Sequence, residues 1–498
     1  MMKINFKIII VLLFFISSCT KDELKVSSTT QISSETFWKT ESDLKLALNG
    51  IYSSLGSLEQ SYIYFDVLTD NAYNHYPWEG FKAIADGTHD TRNPGAISWI
   101  WNDSYKGIGR ANTLLDHIDL IEGLDQDLKN SAIGEALFLR AYFYFTLTDL
   151  YGGVPMPLES PKIEHGELVR EPKEKVVEQI LKDLDRAADL LPQNQDQAGK
   201  ATKGAALGMK TRVLLFNDKW TEAAMTAKEV MQMGYDLYPN YRELFLKENE
   251  NNVEVIFDVQ YKAPEQGNFY QLYLGGLQYG GWSSIVPLPN LADAYLMEDG
   301  LTQENSPLYN PENPYENRDP RLKQTVFVPG STVNGIENHE DDYTGFTFKK
   351  YTPYDEDKVV EPIGYPNTTG GNAIILRYAD ILLMYAEAQN EAVGPDQSVY
   401  DAINAVRTRP SVNMPPVEPG LSQEEMRQVI RLERRVEFVL EASRYSDLRR
   451  WDIAENELDG LQDPGGVRKF DPNRDYLWPI PGAEFDIDGN QLEQNPGY

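Results

Sequence analysis

The chain has 498 residues and is strongly acidic, with a formal net charge of −31. Nucleic-acid binders present basic faces, so this balance argues against them. The length allows a large core or several domains. Cys19 is the only cysteine, which excludes an internal disulfide.

The N-terminus reads as an export signal. Lys3 and Lys7 precede an apolar run, Ile8 to Ile16, that is too short for a bilayer, which needs ~20 residues. Residues 20–36 are polar and Ser/Thr-rich and read as a tether. Thr40-x-x-Asp43 predicts a capped helix through about Ser54. Asp66 to Pro94 is irregular and aromatic, and reads as a loop. Helices are predicted over Trp101 to Ile121, Asp127 to Tyr151 (ended by Gly152-Gly153) and Val176 to Leu191. Ala201 to Phe216 and Trp220 to Met233 read as a helical hairpin around Asn217-Asp218.

From Tyr235 to about Asn372 the helical period is lost, in a stretch rich in Asn, Pro, Gly and Tyr. A structureless insert of that length usually carries function. Within it Val253 to Val259 reads as a strand, and Tyr343 to Tyr351 alternates as a hairpin strand would. Helices resume at Ile374 to Glu391 and Val399 to Arg409. Ile430 to Trp451 has no Gly or Pro and reads as one uninterrupted helix. On it Glu433, Glu437 and Glu441 recur every four residues among apolar neighbours. Buried unpaired carboxylates are costly, so pairing with arginine is expected, with Arg434 and Arg444 within reach along the helix.

No catalytic constellation stands out. His75, His89, His117, His165 and His339 are scattered without zinc-ligand spacing, and no metal or cofactor is expected. Asp486-x-Asp488-Gly489-Asn490 lacks the rest of a calcium loop and reads as a plain turn. Gly275-Gly276 and Gly280-Gly281 lack the Lys-Ser/Thr of a phosphate loop. The 29 tyrosines and eight tryptophans are more informative, because aromatic faces stack on the C–H faces of sugars while hydroxyl and N–H groups bond the rims.

The helix Ile430 to Trp451, ERRVEFVLEASRYSDLRRW at its core, resembles the signature helix of the SusD/RagB family of surface glycan-binding lipoproteins. The resemblance runs on through Trp101-x-x-x-Tyr105-x-x-Ile108-x-x-x-Asn112, Glu135-Ala136-x-Phe138-x-Arg140-Ala141, Tyr151-Gly152-Gly153-Val154-Pro155, Arg377 to Ala388, Trp478-Pro479-Ile480-Pro481 and Asn495-Pro496-Gly497-Tyr498. Ile16-Ser17-Ser18-Cys19 resembles a lipobox, and Thr20 to Glu23 an acidic export tag. One departure is Ala442, where the family's glycine is expected; in an unbroken helix Ala would be harmless.

The resemblance implies a mostly α-helical fold, a tetratricopeptide-like helical-hairpin scaffold with long irregular loops and minor β-hairpins. The helix pairs would lie near 101–151, 201–233, 374–409 and 425–451. It implies a signal peptide over 1–18, a lipidated Cys19 with its tether over 19–36, and one domain over 37–498, with an N-terminal part near 37–233 and a C-terminal part near 253–498. It further implies an outer-membrane, surface-exposed, lipid-anchored protein, not an enzyme, that delivers an oligosaccharide to a SusC-like TonB-dependent transporter. The ligand site would be built by residues 66–102 and 271–289. Trp78, Trp99, Trp101, Tyr279 and Trp282 are the expected aromatic platforms, with Asp66, Asp70, Asn71 and Asn102 as polar partners. A peptide-binding relative of the RagB type or a glycoside hydrolase with paired carboxylates are the alternatives.

Overall fold

Thr40 opens the first helix as the sequence predicts. Its hydroxyl accepts from the Asp43 N–H at 3.3 Å, while the Asp43 carboxylate accepts from the Thr40 N–H at 2.8 Å. The helix, α1, covers Glu41–Tyr62 and is longer than the pattern suggested. The computed structural model describes residues 37–92, 95–338, 343–356, 358–361, 364–366, 368–488 and 492–498, without the side chains of residues 279, 487 and 488. The export signal, Cys19 and the tether lie outside the described residues.

After the single turn Lys82–Ala85, five longer helices follow: α2 Gly95–His117, α3 Gln126–Tyr151, α4 Lys173–Leu190, α5 Lys203–Leu215 and α6 Trp220–Met231. Each packs on its predecessor. The approach is close where a side chain is missing. A Cβ at Gly107 of α2 would sit 2.2 Å from the Phe143 ring of α3. The C-terminal half adds α7 Tyr378–Val393, α8 Gln397–Arg407, α9 Gln423–Glu437 and α10 Ser443–Arg450. Helix α7 packs on α6 as well as on α8 and α9, so it joins the two halves of the chain into one mostly helical scaffold. The expected pairs over 101–151, 201–233 and 374–409 are present, and α1 and α4 join the stack beside them.

The insert contributes little regular structure. Its strands pair two at a time, among them β1 Ala72–Tyr73 with β3 Val286–Pro287, and β2 Val255–Val259 with β4 Ala373–Arg377. Strand β4 corrects the expected start of a helix at Ile374. Ala373, Ile374 and Leu376 pair with β2, and the helix begins only at Tyr378. Apolar runs this short do not separate strand from helix by period. Thr347–Phe348 pairs with Val326–Phe327, so only part of the alternating stretch 343–351 is strand.

The expected single helix over Ile430 to Trp451 is also corrected. Helix α9 stops at Glu437, and Leu440 and Ala442 take left-handed backbone (φ 62° and 57°) before α10 begins. Tertiary contact overrides propensity there. The Leu440 N–H donates to Asp66 Oδ2 at 2.7 Å, and Val439 and Leu440 are buried in the core. Ala442 thus occupies a position that favours glycine, and its expected harmlessness does not hold.

The carboxylate row is buried and paired with arginine, as expected. Glu437, fully buried, bonds Arg377 at 2.8 Å, Arg409 at 2.9 Å and Arg321 at 2.9 Å. Glu433 takes Arg321 at 2.6 Å and Arg407 at 2.9 Å; Glu441 takes Arg377 at 2.7 Å and Lys350 at 2.6 Å. The partners differ from the neighbours along the helix. Arg434 turns to Asp447 and Asp380, and Arg444 to Asp70. Burial by itself would raise the Glu437 carboxyl, but Arg409, Arg377 and Arg321 outweigh it and hold it well below the usual range. The row is a structural knot, with its charges matched by residues from the insert, β4 and the end of α8.

Candidate functional site

The two loops expected to build a site do meet. Strands β1 and β3 pair antiparallel, Ala72 opposite Pro287 and Tyr73 opposite Val286. The Leu288 N–H donates to the Asn71 carbonyl at 2.9 Å. Just beyond the ladder, Asn74 Nδ2 donates to the Ser284 carbonyl at 2.7 Å and to Glu79 Oε2 at 2.6 Å. The Ser284 hydroxyl donates to Glu79 Oε1 at 2.7 Å. Burial raises the Glu79 carboxyl above its ordinary value, with hydrogen bonds from Ser284, Asn74 and Tyr64 working against that. This polar node fixes residues 74–79 against 282–284.

Aromatic side chains surround the node. On one side is Trp78, 73% exposed, with the Tyr76 ring 4.7 Å away. His75 stacks on Tyr343 at 4.1 Å. On the other side Trp282 is half-buried between Tyr273 at 6.0 Å and Tyr365 at 5.7 Å, and Tyr365 is 67% exposed. Phe269 continues the row beside Tyr365 at 6.2 Å. The glycine-rich loop holds Trp282 in place by close backbone approach: a Cβ at Gly281 would lie 2.1 Å from the Gly275 carbonyl oxygen. Similarly, Gly80 (φ 82°) leaves room for the half-exposed Trp99 ring, whose atoms come within 2.9 Å of where a Cβ would stand. Such a surface offers flat apolar faces beside hydrogen-bonding groups, which is the chemistry a saccharide requires.

Four of the expected contacts are corrected by burial. Asp66 is fully buried; one carboxylate oxygen caps Leu440, and burial pushes the group up to about 6. Asp70 is buried against Arg435 at 2.8 Å and Arg444 at 3.0 Å; these overcome the effect of burial and hold its carboxyl below the ordinary value. Asn71 accepts from Arg435 Nε at 3.0 Å. These three fasten the loop to α9 and α10 and present no surface to a ligand. Trp101 is 3% exposed, edge-on to Tyr151 at 5.0 Å, and it belongs to the core. It leaves the other aromatics because 99 and 101 are about 200° apart on a helix. Asn102 is exposed and lines a cavity with Trp101 that does not include Trp282. The Tyr279 side chain lies outside the described set. The sequence reading missed Asn74, Glu79, Tyr76, Tyr343 and Tyr365; their signal was the tyrosine density of the two irregular stretches.

Among the described residues no helix is long and apolar enough to cross a membrane, and no cluster of His, Cys, Asp and Glu could hold a metal ion.

Comparison with known proteins agrees with this architecture. Residues 247–498 match the SusD family model, and residues 23–215 match a model described as starch-binding associating with outer membrane. A SusD-like protein of Formosa agariphila is 27% identical, with 98% of both chains covered. The starch-binding protein SusD of Bacteroides thetaiotaomicron is 25% identical over 85% of this chain and 83% of its own. A crystal structure of a SusD-like carbohydrate-binding protein from Bacteroides fragilis superposes with a TM-score of 0.82 at 30% identity, covering 91% of this chain and 99% of that one. The chain belongs to the SusD family.

Proposed function

We propose that this protein captures an oligosaccharide at the outer cell surface and passes it to a SusC-like TonB-dependent transporter. The observation that carries the capture step is the aromatic face joined across β1 and β3, with Trp78 and Tyr76 on one side and Trp282 and Tyr365 on the other. The carbohydrate-binding and starch-binding relatives support the ligand class. The family model associated with the outer membrane supports the location. Cys19, after the apolar run, supplies the lipid anchor, with residues 1–18 removed, 19–36 as the tether and 37–498 as the binding domain. The protein acts as a binder and not as an enzyme.

Affinity electrophoresis through gels containing single polysaccharides tests the capture step: retardation is expected in at least one neutral glycan and in none of the peptide controls. For the anchor, Cys19→Ala should move the protein out of the outer-membrane fraction. Co-purification of a TonB-dependent barrel with the tagged wild-type protein tests the partner.

A further inference from the structure

A second cavity lies on α2, away from the Trp282 face. Its volume is about 310 Å³, and Trp101, Asn102, Tyr105, Ile108, Gly109 and Asn112 line one wall. Their spacing places them on one side of a helix. The opposite wall comes from the 155–168 loop and the C-terminal segment, through Pro157, Pro161, His165 and Glu484.

The groups in it have distinct tasks. The Tyr105 hydroxyl donates to the Pro155 carbonyl at 2.7 Å, and its half-buried ring offers an apolar surface. Pro157 and Pro161 add C–H surface beside it. The Glu484 carboxylate is half-buried and receives the Trp101 indole N–H. Burial raises it above its ordinary value, and among the described residues no arginine or lysine lines the cavity. The Trp101 N–H takes one acceptor position, which leaves other lone pairs for hydroxyl donors. Asn102 is exposed at the rim with a donor and an acceptor.

We propose that this cavity is a second saccharide subsite, taking one or two sugar units of a neutral glycan. Glu484 accepts from sugar hydroxyls, Asn102 bonds the rim, and the sugar's C–H face lies on Tyr105 and the prolines. A uronic-acid or sulfated glycan is disfavoured, because its charge would face Glu484, while Glu159 is already paired with Lys162 at 2.6 Å. The subsite stands on its own residues and does not depend on the Trp282 face.

The two sites can be read separately in one titration. Protein labelled at the tryptophan indole nitrogen, from residue 20 onward and without lipid, is titrated with xylotriose, laminaritriose, mannotriose and trigalacturonate. The Trp101 resonance, assigned with Trp101→Phe, reports this cavity through its bond to Glu484; the Trp282 resonance reports the first site. At least one neutral trisaccharide should move the Trp101 signal in the wild type and in Trp282→Ala. Asn102→Ala, at an exposed position, should weaken that response about tenfold without lowering Tm, and Glu484→Gln, which keeps an acceptor for the Trp101 N–H, should weaken it as well. Trigalacturonate should leave it unmoved. The proposal is overturned if no neutral trisaccharide moves Trp101, if the response is lost in Trp282→Ala, if it persists in both cavity variants, or if trigalacturonate produces it equally. A silent Trp282 beside a responsive Trp101 would count against the first site alone.

Discussion

Arg377, the last residue of strand β4, and Glu437, the last residue of helix α9, meet at 2.8 Å with both side chains almost wholly buried. The pair ties the strand that follows the insert to the helix that carries the family signature. Arg321 and Arg409 complete the charge around Glu437.

Removing Glu437 leaves three buried guanidinium groups short of a partner. Glu437→Ala should cost about 3–5 kcal/mol of unfolding free energy, since breaking a buried pair is far worse than never having one. Urea unfolding followed by tryptophan fluorescence measures it. The same group sets an acid limit. Its folded-state carboxyl is depressed below the ordinary 4.5, so the stability it contributes is present above that value and lost as pH falls through the folded one. The Tm of the wild type should drop below about pH 4.5 more steeply than that of the variant.

Ala442→Gly should stabilise the protein by about 1 kcal/mol. Ala442 has φ 57°, a left-handed conformation that costs an L-residue about that much and costs glycine nothing. The net gain is reduced by glycine's greater freedom in the unfolded chain. A rise in the urea midpoint with unchanged slope is the expected result; a fall would mean the alanine methyl packs better than it strains.

Glu59 should make stability fall as pH rises toward the alkaline side of neutral. Its carboxyl is buried, receives the Tyr142 hydroxyl, and is pushed up to about 8 by burial. The folded chain therefore keeps this proton where the unfolded chain has released it, from about pH 4.5 to 8. Arg212, Arg434, Asp149 and Glu441 line the same small cavity of about 70 Å³, and of these Arg212 works against the shift. Glu59→Gln should flatten the decline in Tm across that window; an unchanged decline would assign it to other groups.

Asp70→Asn should act on stability and not on the chemistry of binding. The carboxylate is buried between Arg435 and Arg444, so its loss should cost about 2–4 kcal/mol. Glycan affinity measured well below the new Tm should change little, because no part of Asp70 reaches the aromatic face.

Much of this was legible in the chain. Periodicity found the scaffold helices, and Gly152, with φ 76°, ends α3 where expected. The arginine pairing of Glu433 and Glu437 followed from carboxylates lodged among apolar residues. Their partners did not, because Arg321, Arg377 and Arg409 arrive from elsewhere in the chain. The break at Leu440 and Ala442 was hidden because nothing local forces it; a distant carboxylate, Asp66, accepts from the Leu440 N–H. The site was half-legible. Loop composition pointed to both segments, and Trp78 and Trp282 stand exposed or half-buried on them, but burial separated Asp66, Asp70, Asn71 and Trp101 from the proposed face, and burial in an irregular loop has no period to read.

Isothermal calorimetry with neutral glycans, on the wild type and on Trp78→Ala, Trp282→Ala and Tyr365→Ala, tests the aromatic face most directly. Each of these side chains is exposed or half-buried, so the variants should keep the wild-type Tm within a few degrees. Saturable binding to at least one glycan is expected, weakened about tenfold or more by Trp282→Ala, since an aromatic platform contributes on the order of 1–3 kcal/mol. Glycan binding with wild-type affinity in all three variants would contradict the assignment of the site.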